Sequence, residues 1–444
     1  MVKSRAMSSS ARSPYGTDGS GVSLSGAKRD GASGNRQLGR ARWRGVARPD
    51  VRMGGDELGG GQQADVEQGD VEPDDGLVGT DAGHETTTTG VDRERRRGRG
   101  AASNASGRFE RHSNEAFDDG WDTLGELAAF RTEVSAEPAR TIITTNDSPD
   151  ISFDQSINAY RGCEHGCIYC YARPSHCYLG HSAGLDFETK LYAKTNAAEL
   201  LERELANPRY RPRTIALGTN TDPYQPIERT YRITREILEV LERARHPVAI
   251  VTKSALVQRD ADILGRMAAD GLAKVALSIT TLERRLARAM EPRAATPQRR
   301  LDAIACLNAA GVPTAVMMAP IIPALNDSEI EAVLGAAKEA GVREAGYVTL
   351  RLPLEIKVLF REWLDEHYPD RARRVIAILQ SMHGGRDYTS DYGLRQRGSG
   401  PYASQIAQRF RLARRRLGLE EERISLRTDL FRRPVVHGGQ HQLF

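Results

Sequence analysis

Residues 156–170 read SINAYRGCEHGCIYC. A short run of strand character, Ser156–Tyr160, passes through Gly162 into three cysteines, Cys163, Cys167 and Cys170. Three thiolates on one tight loop can reach three corners of a cubane iron–sulfur cluster and leave the fourth iron open to an exchangeable ligand. Gly166 lets the backbone bend close to such a cluster, and Gly162 frees the strand-to-loop turn. Two other readings share these ligand types. A zinc site could recruit Cys177 or His176 as fourth ligand, although zinc sites usually pair two knuckles well separated in sequence. A four-cysteine electron-transfer cluster could use Cys177, although an electron carrier has little need of the domain that follows. Otherwise Cys177 is a bystander thiol, as is Cys306 on the apolar face of a helix. Five cysteines so unevenly placed exclude a disulfide framework.

Downstream, short apolar or β-branched runs alternate with capped helices, the pattern of βα units around a parallel sheet. After Ser156–Tyr160 the expected strands are Thr214–Leu217, Val248–Thr252, Lys274–Ile279, Thr314–Ala319 and Tyr347–Leu352. Between them, Thr296 is an N-cap with Pro297 at the first helical position. Leu301, Ile304, Ala305 and Leu307 form one face, and Gly311 ends the helix. The segments Asp327–Gly341 and Asp260–Gly271 repeat the scheme. The fold class is therefore α/β, a partial (β/α)6 TIM-type barrel over residues 150–355. Residues 356–444 form a helical C-terminal extension: Phe360–Met382 broken near Pro369, the loop SDYGLRQRGSGPYA at 390–403, and a basic helix from Gln405 to Leu417. The extension is expected to dock on the open side of the barrel and help close it.

Upstream the composition changes. Of 42 glycines in 444 residues, 20 fall in the first hundred, where no apolar run reaches five residues. That pattern excludes a secretory signal or membrane span there. Together with the lack of such a span downstream, it gives the expectation of a soluble, cytoplasmic protein without membrane contact. Residues 1–135 read as a disordered Gly/Ser/Arg/Asp-rich region. Its charge is blocky, with ten Lys/Arg against three Asp/Glu in residues 1–50 and RERRRGR at 93–99.

The CxxxCxxC spacing, with Tyr169 as the aromatic residue before the last cysteine, resembles the radical S-adenosylmethionine (SAM) superfamily. The resemblance implies a [4Fe–4S] cluster held by Cys163, Cys167 and Cys170, with its unique iron chelated by SAM. It further implies reductive cleavage of SAM to a 5′-deoxyadenosyl radical that abstracts hydrogen from a substrate, and an external one-electron reductant of the flavodoxin or ferredoxin type. Four later runs narrow it: LGTNTDPYQPIE at 217–228, IVTKS at 250–254, ALSITT at 276–281 and EPR at 291–293. With APIIPALND at 319–327 they resemble the spore photoproduct lyase-like branch. Carried over, Thr221 and Asp222 face the methionine amino group, Lys253 the carboxylate, Ser278 the ribose and Tyr169 the adenine. Independently, the guanidinium fork of Arg293 suits a carboxylate or a substrate phosphate. The photoproduct lyases carry a cysteine in the second-strand loop that returns a hydrogen atom to the product radical, where this chain has Thr219. The expectation is therefore a sister group, with nucleic acid as one candidate substrate. The alternatives are a DNA photoproduct lyase proper and a zinc-knuckle nucleic-acid-binding protein.

Overall fold

Strands and helices alternate along the computed structural model, which describes residues 90–110, 128–419 and 424–435. The strands are β1 (Glu133–Ala136), β2 (Ile143–Thr145), β3 (Gln155–Ile157), β4 (Tyr160–Arg161), β5 (Lys190–Ala193), β6 (Ile215–Leu217), β7 (Val248–Thr252), β8 (Ala273–Ser278), β9 (Thr314–Ile321) and β10 (Glu344–Thr349). Strands β3, β6, β7, β8, β9 and β10 pair in sequence order, each parallel to the last. Strand β2 adds an antiparallel edge on β3. The two ends of this sheet, β10 and β2, are not paired to each other, so it is an open partial barrel of six parallel strands. A second small sheet runs β1-β5-β4.

Period-two patterning sorts the two faces of the main sheet. Val248, Ile250, Val275, Leu277, Val316 and Met318 are buried in one core with Ile237, Leu241, Ile263, Ile304 and Val333 of the outer helices. Their alternates Ala249, Val251, Ala276, Ala315 and Met317 remain half-exposed on the inner face. The helix Pro297–Ala309 begins as its sequence predicts, with the Thr296 hydroxyl accepting from the Arg299 amide at 3.4 Å.

Several expectations need correction. The first predicted strand splits: β3 ends at Ile157, and Tyr160–Arg161 leaves the barrel to pair with β5. The last one, expected at Tyr347–Leu352, runs instead from Glu344 to Thr349, because pairing with β9 starts at Glu344↔Ala315. Ala305 is exposed, and Ala303 joins Ile304 and Leu307 in the core. The basic helix starts earlier, spanning Gly400–Arg416. The largest correction concerns residues 1–135. Residues 90–110 and 128–135 have defined positions, with Ala101 fully buried and Arg99 and Ser103 nearly so. The rest of that region, 1–89 and 111–127, lies outside the described residues.

The C-terminal segment forms Ile356–His367 and Pro369–Met382, with the break at Pro369, then Gly400–Arg416. Its loop touches both edges of the open barrel. The Thr349 amide donates to the Gln396 carbonyl at 2.9 Å, while Gly393 N and Arg395 Nε donate to the Asp150 carboxylate ahead of β3. Trp363, Phe360 and Leu359 share one core with Cys167, Ile168 and Tyr169. Among the described residues no helix is long and apolar enough to cross a membrane.

Candidate cofactor site at the cysteine loop

The loop between β4 and the 3-10 helix Arg173–Leu179 carries the three cysteines. The Cys163 amide donates to the Phe187 carbonyl at 2.9 Å, Ile168 N to Met290 O at 3.0 Å and Cys170 N to Cys167 O at 3.2 Å. Gly166 turns the chain at φ +67°. Cys163 and Cys167 are buried, Cys170 is half-buried, and all three are free thiols. Burial, reinforced by Asp222 and the other two sulfurs, pushes the Cys163 thiol well up. Burial also pushes Cys167 up to about 12, against the opposing pull of Lys253.

Sulfurs within electrostatic reach of one another in a site that penalises charge become thiolates only beside a strong cation, and a bound metal supplies one. Among the described residues, no three His, Cys, Asp or Glu side chains converge on a point that a single metal ion could occupy. A four-iron cube takes each thiolate at a separate iron, and three free cysteines on one loop are a donor set that fits such a cluster.

One strand-end side chain and a buried polar cluster meet this loop. Lys253, directly after β7, lies 5.7 Å from the centre of the Tyr169 ring. Burial lowers its pKa, but the charges at Cys167 and Glu291 outweigh burial and raise it. The Tyr169 hydroxyl donates to Glu291, which also accepts from Thr280 Oγ1 at 2.9 Å and pairs with buried Arg300. Arg300 Nη1 donates to the Ser278 carbonyl at 2.8 Å, so Ser278 joins the site through its backbone.

The run at 217–228 organises the other side. Asp222 accepts from Thr252 Oγ1 at 2.7 Å, Lys253 N at 2.8 Å and Tyr224 N at 2.9 Å, and faces His165 Nδ1 at 3.4 Å. Burial raises its pKa, while His165 and these hydrogen bonds more than reverse that, holding the carboxyl at about 2. The Thr221 hydroxyl donates to the Tyr160 carbonyl at 3.0 Å. Gln225, fully buried, accepts from Glu164 N at 2.8 Å and donates to Gly162 O at 3.2 Å, bracketing the cysteine loop. Arg293 pairs with Glu164 inside that loop. Cavities of about 530 and 320 Å³ exist elsewhere, and neither is lined by any of these residues.

The structure thus links Thr221, Asp222, Lys253 and Arg293 to the β4 and cysteine-loop segment that carries Tyr169, and Ser278 only through Arg300 and Glu291. Sequence reasoning missed Gln225, His165 and Arg300. Glu291 was visible only as part of the EPR run, and the buried pair Glu291–Arg300 spans nine residues with no periodic signature.

The fold and this loop define an open α/β barrel with three free cysteines on the loop that follows its first strands. Residues 157–337 match the family model of the radical SAM superfamily. Proteins of this superfamily use a [4Fe–4S] cluster and SAM. Similar curated relatives include an uncharacterised protein of Mycobacterium tuberculosis, 38% identical over 226 residues, which are 50% of this chain and 66% of the relative. An uncharacterised protein of Methanocaldococcus jannaschii is 29% identical over 214 residues, 48% of this chain and 76% of its own length. The chain therefore spans just under two thirds of the mycobacterial relative. Among solved structures, a spore photoproduct lyase variant is similar with a TM-score of 0.46 and 16% identity, covering 64% of this chain and 79% of its own.

Proposed function

We propose that the chain is a radical SAM enzyme in which Cys163, Cys167 and Cys170 hold a [4Fe–4S] cluster. The observation that carries this reading is the meeting of three free thiols on one loop with the half-buried Lys253 ammonium, which follows β7 and lies 5.7 Å from the Tyr169 ring. Active sites of such barrels lie at that end of the sheet. When bound, the cluster and SAM would supply a one-electron cleavage of the sulfonium and a 5′-deoxyadenosyl radical.

The protein's own residues hold and orient. Lys253, kept protonated by its anionic surroundings, would receive the carboxylate of SAM. Tyr169, fixed by Glu291, offers its ring to the adenine, and Ser278 lies where the ribose would sit. Asp222 and Thr221 are already engaged with protein groups, so they shape the backbone around the amino group more than they bind it through free side chains. Arg293, tied to Glu164, would fix the loop and reach a carboxylate or phosphate from its exposed side. A flavodoxin- or ferredoxin-type donor would supply the electron.

For the substrate, we read the chain as a sister of the photoproduct lyases. Thr219 stands where they carry a hydrogen-returning cysteine, and its hydroxyl is a poor hydrogen-atom donor. The Tyr171 hydroxyl donates to the Thr219 carbonyl. Tyr171 is 48% exposed, and the Arg351 guanidinium lies 5.0 Å from its ring and 5.9 Å from that of Tyr388. An exposed aromatic face beside stacked arginine suits a nucleobase, so nucleic acid is the substrate class proposed.

Anaerobically reconstituted protein should hold about four irons per chain and release 5′-deoxyadenosine on reduction with SAM. Cys167→Ala should lose both. One zinc per chain with no iron uptake would sink the reading. Tyr171→Ala should weaken binding of a single-stranded oligonucleotide about tenfold, as loss of one stacked base would. Unchanged affinity would remove the nucleic-acid proposal and leave the cluster untouched.

A further inference from the structure

The segment Gly98–Ser103, RGRGAAS with Arg97 in front of it, lies outside the matched radical SAM domain. It nevertheless covers the cysteine loop. Gly100 N and Ala101 N each donate at 2.9 Å to the Glu188 carboxylate. The same carboxylate pairs with Arg173 Nη2 at 2.6 Å, and both of those side chains are fully buried. Arg173 Nε then donates to the carbonyl of Cys167 at 2.9 Å, while its Nη1 holds the carbonyls of Ala183 and Gly184.

A second arm starts from Arg99, whose Nη1 donates to the Glu188 carbonyl and whose Nη2 donates to Phe130 O and Thr132 Oγ1. Thr132 donates in turn to Glu164, the residue after Cys163, at 2.6 Å. The fit allows no side chain at two points. A Cβ on Gly100 would run deep into the Gly166 carbonyl, and one on Gly166, at φ +67°, would press on the Glu188 carboxylate. The segment therefore reaches the loop beside Cys163 and at Cys167, through backbone contact and buried charge.

We infer that Gly98–Ser103 is a clamp that sets the geometry of the cysteine loop, with Gly100, Glu188, Arg173 and Thr132 as positioning residues for the cluster ligands. The inference rests on the cluster reading above, and it extends the functional unit upstream of the matched domain. A chain of hydrogen bonds to a ligand loop acts as outer-shell partners act at other metal sites, where their loss weakens metal retention without removing a ligand.

The test uses the full chain and Gly100→Val. Gly90→Ala, ahead of the segment, serves as control, since an added Cβ there meets nothing within 4 Å. In metal-free protein, amides of residues 163–170 should exchange hydrogen about tenfold faster in Gly100→Val, while β7 to β9 exchange as before. After anaerobic reconstitution the variant should retain about tenfold less iron, and the electron paramagnetic resonance of the residual reduced cluster should shift. The control should match the unmodified chain in all three.

Unchanged loop exchange in a folded Gly100→Val overturns the clamp. If that variant loses protection in the barrel as well, Thr132→Val decides. Faster loop exchange with an intact barrel, restored by Thr132→Ser, supports the clamp, and wild-type exchange overturns it. An unmodified chain that protects its loop yet binds no iron sinks the cluster reading and leaves the clamp standing.

Discussion

The two segments that flank the barrel grip the same loop by opposite means. On the N-terminal side, residues 98–103 contribute one buried apolar side chain, Ala101, and otherwise hold through amides and the buried Arg173–Glu188 pair. On the C-terminal side, Trp363, Phe360, Leu359 and Leu364 share one apolar core with Cys167 and Tyr169. Apolar packing tolerates small shifts. A buried ion pair with full hydrogen bonding does not, because each displaced partner leaves a charge without solvent. The polar side therefore dictates where the loop sits, and the apolar side keeps it folded.

The largest effects would separate these roles. Glu188→Ala leaves Arg173 buried and unpaired and should cost about 3–5 kcal/mol in denaturant unfolding. Trp363→Ala, which removes a nearly fully buried ring stacked on Phe360 and a hydrogen bond to Ala289, should cost about as much, roughly 3–5 kcal/mol. The informative variant is the double replacement Arg173→Met with Glu188→Leu. It should recover most of the stability that Glu188→Ala loses, yet still retain little iron. Recovery of both would mean that the polar grip is only a structural staple.

A smaller effect concerns the tail at 424–435, whose Phe431 packs edge-on against buried His246 at 5.5 Å. Burial outweighs the hydrogen bond to Pro247 and lowers the His246 pKa to about 4 from its ordinary 6.5. The unfolded chain thus takes up the proton first. This site's stability is full above about pH 6.5 and falls by about 3 kcal/mol as the pH drops to about 4. Melting curves between pH 7 and 4 should show the slope, and His246→Gln should flatten it. The smallest effect belongs to the exposed Arg409–Glu331 pair on the basic helix, where Arg409→Ala should change stability by under about 1 kcal/mol.

The same contrast explains what could be read from the sequence. The parallel strands, the Gly-terminated helices and the break at Pro369 follow from apolar periodicity and backbone chemistry, which are local. The three cysteines announce themselves by spacing. Arg99, Gly100 and Glu188 do not. A glycine- and arginine-rich stretch without apolar residues resembles a solvated tail, and its order depends on a carboxylate 88 residues away. Residues 98–103 therefore passed for disorder although Ala101 is as buried as the barrel core. Likewise Asp222 reads as a free ligand in sequence, yet its oxygens are taken by Thr252, Lys253 and Tyr224.

The clamp also sets a clock. Ser103 Oγ donates to Glu362 at 2.7 Å and Arg96 pairs with Glu366 at 2.8 Å, partners 259 and 270 residues later in the chain. At ribosomal speeds of about 5–20 residues per second, those partners leave the synthesis machinery roughly ten seconds to a minute after the segment does. Until then Leu359, Phe360 and Trp363, which share one core with Cys167, are also missing, so that side of the cysteine loop stays open. Stalled nascent chains ending near residue 350 should accordingly label at Cys167 with a thiol reagent faster than the finished protein, and equal labelling would stop the clock.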